Sequence, residues 1–408
     1  MGLIYNTAIA VYKLGVKIAS RKNRKAALML SGQSRTFQQL KDMVVEGEKY
    51  IWMHASSLGE FEQGRPMIEL IKRENPNQKI LLTFFSPSGY EVRKDYPMAD
   101  IICYLPFDLP SNVKRFLDIV PIERAIFIKY EFWANYLTEL VRREIPTYLI
   151  SAIFRPTQSF FKPYGGMFRR MLKCYNTIFV QDEQSRVLLE SINITNVVIA
   201  GDTRFDRVTE ILNNEKSLKH IEQFTKDNFT LIVGSSWEAD EDIYIPYFNA
   251  NPDIKVIIAP HNIDAERVAA ITSRLERSYT LYSDVKDGTE ITTDALIIDC
   301  FGILSSTYRY ADVAYIGGGF GVGIHNINEA AVYAMPVIFG TNYAKFKEAN
   351  DLIELEGAFS IKDSEEFTTL INRFRNDPTY LTTQGTIAGN YIRQNLGATE
   401  RIYSQIID

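Results

Sequence analysis

Apolar, β-rich runs alternate with segments of helical periodicity almost from one end of the chain to the other. The first half reads as strands near Tyr50–His54, Lys79–Phe85, Asp100–Leu105, Arg124–Ile128, Thr147–Ser151, Thr177–Val180 and Asn196–Ala200. Helical stretches such as Glu60–Arg73, Ser111–Ile119, Phe132–Arg143 and Phe168–Tyr175 lie between them. Strands that alternate with helices in this way form stacked βα units and parallel sheets. A polar stretch rich in Asn, Lys and Glu, 212–228, breaks the pattern and reads as a linker. The alternation then restarts, with strands near Phe229–Val233, Lys255–Ala259, Ala295–Ile298, Val313–Ile316 and Val337–Phe339. The expectation is an α/β protein of two doubly wound domains, 28–211 and 229–378, that face each other across a cleft. The last segment, 379–408, is helical with no strand after it, and can pack back on the first domain.

The first 27 residues stand outside this alternation. Before the first acid, Asp42, the chain carries Lys13, Lys17, Arg21, Lys22, Arg24, Lys25, Arg35 and Lys41, behind the apolar runs Leu3-Ile4-Tyr5 and Ala8-Ile9-Ala10-Val11-Tyr12. A secretory signal places its positive charge first and a small-residue cleavage site last. Here the order is reversed. Lys13 and Lys17 also interrupt the stretch too early for the roughly 20 apolar residues of a spanning helix. Residues 1–27 therefore read as a basic amphipathic helix on an anionic membrane surface. The alternative is a helix packed on the domain with a solvated basic face.

Composition narrows the function classes. The chain has 408 residues, 46% of them hydrophobic and 23% charged, as in an ordinary globular protein. A formal net charge of −5 argues against nucleic acid as a partner, because phosphate binding needs a basic face. Cys103, Cys174 and Cys300 are too few and too scattered for a disulfide framework or a zinc cluster, and they suit a reducing compartment. None of His54, His220, His261 and His325 is paired at i,i+4, so no metal site is expected.

Ligands of open α/β sheets bind beyond the C-terminal ends of the strands, so the loops there are where chemistry is sought. After the strand ending at His54 comes Ala55-Ser56-Ser57-Leu58-Gly59-Glu60. Glu60 stands in the first turn of the next helix, either as a complement to the helix dipole or as a general base for a hydroxyl. Lys129-Tyr130-Glu131-Phe132-Trp133-Ala134-Asn135 follows another strand, with Glu131 a helix-start carboxylate or a site residue. In Gly201-Asp202-Thr203-Arg204-Phe205-Asp206, Arg204 can meet a phosphate or developing negative charge, or simply pair with Asp206 or a neighbour. The densest loop is Gly317-Gly318-Gly319-Phe320-Gly321-Val322-Gly323-Ile324-His325-Asn326. Its glycines never fall at i, i+2 and i+5, so it is no dinucleotide fingerprint. It reads instead as a loop whose amides surround a phosphate, with Glu329 able to accept from two ribose hydroxyls.

In their order, His54 to Glu60, Thr83-Phe84-Phe85-Ser86-Pro87-Ser88-Gly89, Tyr130 to Asn135, Gly201 to Asp206, and Gly317-Gly318 through His325-Asn326-Ile327-Asn328-Glu329 resemble the Kdo (3-deoxy-D-manno-octulosonic acid) transferases of lipopolysaccharide assembly. The resemblance runs from the basic N-terminal segment to at least Gly357. It implies a GT-B fold of two Rossmann-like domains, with the acceptor in the first and the CMP-Kdo donor in the second. No metal or dissociable cofactor is implied. The family's general base falls on Glu60, and its transition-state-stabilising groups on Glu131 and Arg204, the last standing where the family has Lys. Contacts to the donor would fall on Pro260, His261, Gly302, Ile303, Leu304, Gly317, Gly318, Gly319, Asn326, Ile327, Asn328 and Glu329. The chain has Pro260-His261-Asn262 where the family usually has Pro-Arg-His, and Asn328 where it often has Leu. The implied reaction is inverting transfer of Kdo to a lipid A precursor at the cytoplasmic face of the inner membrane. Two alternatives remain: a GT-B glycolipid transferase that uses a UDP-sugar, and a non-catalytic membrane-associated scaffold.

Overall fold

In the computed structural model, which describes residues 2–213, 217–286 and 290–407, the apolar runs form two sheets. The first contains β1 (Tyr50–Ala55), β2 (Lys79–Phe84), β3 (Ile101–Tyr104), β4 (Ile122–Ile128), β5 (Thr147–Ala152), β6 (Thr177–Val180) and β7 (Val197–Ile199), in the order β3-β2-β1-β4-β5-β6-β7. The second contains β8 (Phe229–Ser236), β9 (Ile254–Pro260), β10 (Tyr279–Leu281), β11 (Ala295–Ile297), β12 (Val313–Ile316), β13 (Val337–Phe339) and β14 (Ala358–Ser360), in the order β10-β11-β9-β8-β12-β13-β14. Each recorded pairing is parallel, for example Trp52 beside Leu81 and Ala125. β10 and β14, three residues each at the sheet edges, are the two strands that the apolar pattern does not foretell.

Burial on both faces explains the unbroken apolar runs. Along β1, Tyr50 and Trp52 enter one core, while Ile51, Met53 and Ala55 enter the other. Trp52 is fully buried, with Phe116, Phe127 and Tyr136 at ring distances of 5.0, 5.1 and 5.4 Å.

The chain divides into two compact units. One runs to Asp206 and includes the chain from Leu396 on; the other is Arg207–Asn395. The helix Pro378–Gln394 thus stays with the second unit, while the helix Ala398–Ile406 belongs to the first. Its Ile402 and Ile406 are buried in the core that holds Ile51 and Met53. The Asp206 carboxylate fixes its start, accepting from the amides of Gly397 and Thr399 and from the Thr399 hydroxyl, each at 2.6 Å. Of the expected linker, 212–228, Lys219–Thr225 is helical, and residues 214–216 lie outside the described residues.

The N-terminal segment is two helices, not the single one expected over 1–27. α1 (Leu3–Ala19) ends in a turn, and α2 (Arg24–Met43) restarts the chain because the Asn23 side chain caps it, accepting from the Ala26 amide at 3.2 Å. The cationic block is therefore split between them. One face of α1 is anchored: Tyr5 donates to Asp108 at 2.6 Å, and Val16 packs with Met29 and Phe107. The opposite face is apolar and exposed, with Ile4 at 85%, Val11 at 64% and Ile18 at 60% exposure, one every seven residues. Among the described residues, no helix is long and apolar enough to cross a membrane.

Candidate active site

The first sheet has a switch point between β1 and β4, and the second has one between β8 and β12. Crevices open at such switch points. The loops after these four strands carry Glu60, Glu131, Trp237 and the glycine-rich segment.

In the first unit, α3 (Leu58–Glu74) begins directly after β1, and Gly64 lets it sit against β4. A Cβ there would lie 2.1 Å from Ile128 Cδ1. Glu60 is half-buried in the first turn, and Ser57 donates to its Oε2. Burial, with the Glu60 charge adding to it against Arg155, raises the pKa of Tyr130. The end of β4 therefore lies within electrostatic reach of Glu60. The strand ends in a left-handed residue, Lys129 at φ +69°, an uncommon conformation for a side chain of this size.

Glu131 follows and is buried. Its Oε2 accepts from Trp133 Nε1 at 2.5 Å and lies 3.1 Å from His54 Nε2. Tyr175 donates to its backbone carbonyl. On the far side of the imidazole, His54 Nδ1 is 2.8 Å from Thr83 Oγ1 and 3.1 Å from the Thr83 carbonyl, and Trp52 Nε1 donates to the same hydroxyl at 2.8 Å. Glu131 is thus the outer end of a buried polar chain through the middle of the sheet.

Arg204 pairs with Asp202. Its Nη2 and Nε reach Asp202 Oδ2 at 2.6 and 2.9 Å, and its amide reaches Oδ1 at 3.0 Å. Gln63 Nε2, from α3, adds a contact at 3.3 Å. Burial would raise the Asp202 carboxyl, but the Arg204 guanidinium and these hydrogen bonds outweigh it and hold the pKa below the usual range.

In the second unit the glycine loop differs from expectation. Gly317 donates its amide to the Gly234 carbonyl at 2.9 Å, and Gly318 donates to Asp240 Oδ2 at 2.9 Å. Gly321 and Gly323 both donate to the Gly318 carbonyl at 3.0 Å. These amides are spent inside the fold, so Gly317 and Gly318 do not cradle a phosphate with their N–H groups. The glycines serve close packing instead: a Cβ on Gly317 would lie 2.2 Å from the Ser235 carbonyl oxygen, and one on Gly319 2.4 Å from the Gly340 amide nitrogen. Asp240, fully buried, organises the loop by also accepting from Tyr315 and from the Trp237 amide.

Pro260 is buried at the end of β9, and His261 follows it, exposed. The His261 ring stacks on Trp237 at 4.2 Å and stands 4.8 Å from the His325 ring, while Trp237 Nε1 is 3.2 Å from His325 Nε2. Partial burial lowers both histidine pKa values, and at His325 the neighbouring His261 lowers it further. Asn326 is exposed, donates to Glu329 Oε1 at 3.1 Å and accepts from the Asn328 amide at 3.2 Å. Ile327 and Ile303 are buried core residues. Asn328 is fully buried, and neither atom of its side-chain amide has a hydrogen-bond partner in the protein. Burial raises the Glu329 carboxyl despite Asn326 and Arg207. Gly302 adopts φ +85° before the helix Leu304–Thr307, and the following Tyr308 feels the Glu329 charge, so this turn shares the end of the sheet with the His325–Glu329 segment.

Among the residues of these networks with no role in the sequence reading are His54, Asp202, Trp237 and Asp240. Asp240 alone leaves a local signal, an acid three residues into a helix start, where it caps the Trp237 amide.

Comparison with known proteins adds the following. Residues 29–207 match the family model described as 3-deoxy-D-manno-octulosonic-acid transferase (kdotransferase). A 3-deoxy-D-manno-octulosonic acid transferase of Aquifex aeolicus is 26% identical over 327 residues, 78% of this chain and 84% of its own. One of Haemophilus influenzae is 24% identical over 372 residues, 86% and 85% of the two chains. Among solved structures, UDP-GlcNAc 2-epimerase from Neisseria meningitidis superposes with a TM-score of 0.61 at 15% identity, over 88% of this chain and 99% of that one. That likeness is one of fold.

Proposed function

We propose that the chain is a glycosyltransferase of the Kdo transferase kind, and that it moves Kdo from CMP-Kdo to a lipid A precursor with inversion at the anomeric carbon. The observation that carries this reading is the switch point of the first sheet, where Glu60 and the buried Glu131 end neighbouring strand–loop units. Glu60 takes the proton of the acceptor hydroxyl. The freed oxygen forms its bond to the anomeric carbon of Kdo as the bond from that carbon to the phosphate oxygen breaks, and CMP leaves with the electron pair. Glu131 stands by the charge that develops on the sugar. Arg204, bound to Asp202, acts as a fixed cation and not as a mobile one. The donor reading rests on the end of the second sheet, where the Trp237–His261–His325 stack offers aromatic faces and hydrogen bonds, and Glu329 and Asn326 offer polar groups to a nucleotide.

The exposed apolar face of α1, with Lys13 and Lys17 on the same helix, supports attachment to the cytoplasmic leaflet, where the acceptor is anchored. The test is transfer from CMP-Kdo, generated in situ, to a tetraacylated lipid A precursor, read by mass spectrometry. A mass increase of one or more Kdo units is the expected result. No product, from a folded protein whose melting temperature rises with UDP and not with CMP, would refute it.

A further inference from the structure

The geometry points to His54 as a positioning residue of the transfer site: a single proton held between its Nε2 and Glu131 Oε2 fixes which oxygen of that carboxylate faces the substrate. The inference rests on the reading of Glu131 as part of that site.

Counting protons gives the argument. His54 is fully buried, so its ring nitrogens must be satisfied by protein groups. At Nδ1 they are Thr83 Oγ1 at 2.8 Å and the Thr83 carbonyl at 3.1 Å. The hydroxyl already accepts from Trp52 Nε1, so it can either accept from Nδ1–H or donate to a bare Nδ1. Both tautomers are open on that side. On the other side there is no such freedom. Nε2 and Glu131 Oε2 are 3.1 Å apart, and a bare ring nitrogen and a carboxylate oxygen would oppose lone pair to lone pair. In a buried site this repulsion is unscreened. One proton between the two atoms removes it, whichever atom carries it and whichever state Nδ1 adopts. The Trp133 indole stands at the third corner of the triangle and donates toward both atoms, at 2.5 Å to Oε2 and 3.1 Å to Nε2, so that Oε2 is its nearer acceptor.

The consequence is an asymmetric carboxylate. Oε2 is held by the shared proton and by Trp133, the Glu131 backbone is held by Tyr175, and no described residue hydrogen-bonds Oε1. Oε1 is therefore the oxygen offered to the sugar, and it cannot exchange places with Oε2 without breaking two hydrogen bonds, one of them to the buried His54. The proton never leaves the pair during transfer. His54 acts through Glu131 and does not touch the substrate.

Two independent measurements test this. In protein labelled with 15N-histidine, with His54 assigned by substituting His220, His261 and His325 in turn, Nε2 should read as protonated or hydrogen-bonded between pH 6 and 8. Glu131→Gln should shift that resonance. A free, bare Nε2, or a resonance indifferent to Glu131→Gln, overturns the proposal. In the transfer assay, His54→Ala should lower kcat about 10- to 100-fold, as expected for loss of a hydrogen bond to a charged group, with KM for either substrate within about twofold. His54→Gln, whose amide can still donate to Oε2, should recover part of that loss. Folded variants that keep kcat within about twofold of the wild type also overturn it. Should the variants not fold, the spectra of the wild type decide alone. A wild-type protein that transfers no Kdo sinks the functional reading but leaves the shared proton to stand or fall by the spectra.

Discussion

Replacing Arg204 with Ala strands a buried carboxylate. Asp202 is 6% exposed at its side chain, and its Oδ2 loses both of its guanidinium bonds, while Oδ1 keeps an amide at 3.0 Å and Gln63 at 3.3 Å. Breaking a buried pair by removing one partner costs about 3–5 kcal/mol. The guanidinium is 31% exposed, so water replaces part of what is lost, and about 2–3 kcal/mol is the expected cost at pH 7. The pH dependence carries the sharper test. In the wild type the Asp202 pKa lies below its unfolded value, so the pair contributes stability above about pH 3.9 that fades as pH falls through the folded value. In the variant the guanidinium is gone, and burial, the largest influence, raises that pKa against the two bonds left at Oδ1. The carboxyl then favours the folded state when protonated, and this contribution is lost as pH rises. The difference between variant and wild type should therefore be largest at pH 7 and shrink toward pH 4. Urea unfolding followed by tryptophan fluorescence is suited to this, because Trp52 and Trp133 lie in the first unit and only Trp237 in the second. An Asp202→Asn background should reduce the cost of Arg204→Ala to below about 1 kcal/mol, as the stranded charge is gone. A cost independent of pH, or unchanged in that background, refutes the reasoning.

Glu60→Gln should lower kcat by roughly 10²- to 10⁴-fold while the rise in melting temperature with CMP is unchanged; near-normal turnover would remove Glu60 as the base. Gly319→Ala should cost about 1–3 kcal/mol of stability, since its Cβ meets the Gly340 backbone at 2.4 Å, whereas Gly321→Ala, with nothing within 4 Å, should be neutral by thermal unfolding. Val11→Glu with Ile18→Glu should abolish flotation with anionic phospholipid vesicles without moving the unfolding midpoint, because both side chains are exposed. Retained flotation would place the membrane contact elsewhere.

The two sheets are legible in the sequence because both faces of each are covered. In β1 and β9 every position but His54 and Lys255 is apolar, the run that burial on both faces of a sheet produces. β10 and β14 are not legible, since three residues at an edge carry no periodicity. The break between α1 and α2 hides for a different reason: Asn23 is a strong helix start, but it lies among Arg and Lys residues that continue the cationic run. At the site, Glu60 and Glu131 are visible because a carboxylate at a strand end is unusual in an apolar context. The partners that define their state are not. His54 looks like the last residue of a strand, and its contact with Glu131 spans 77 positions. The glycine loop shows the limit most clearly, because glycine admits a ligand and a neighbouring backbone equally well. Gly317 and Gly318 turn to Gly234 and to Asp240, 83 and 78 residues away, and only the folded chain reveals that.

The Asp206 carboxylate also imposes an order in time. Its partners, Gly397 and Thr399, lie 191 and 193 residues further on, beyond the whole of the second unit. At about 5–20 residues per second, a ribosome needs roughly 10–40 s to supply them. Throughout that interval the first sheet exists without Ile402 and Ile406, and the core of Ile51 and Met53 lacks its cover. The unit synthesised first is thus completed only after the second, and the nascent chain carries an open apolar face until the helix Ala398–Ile406 emerges.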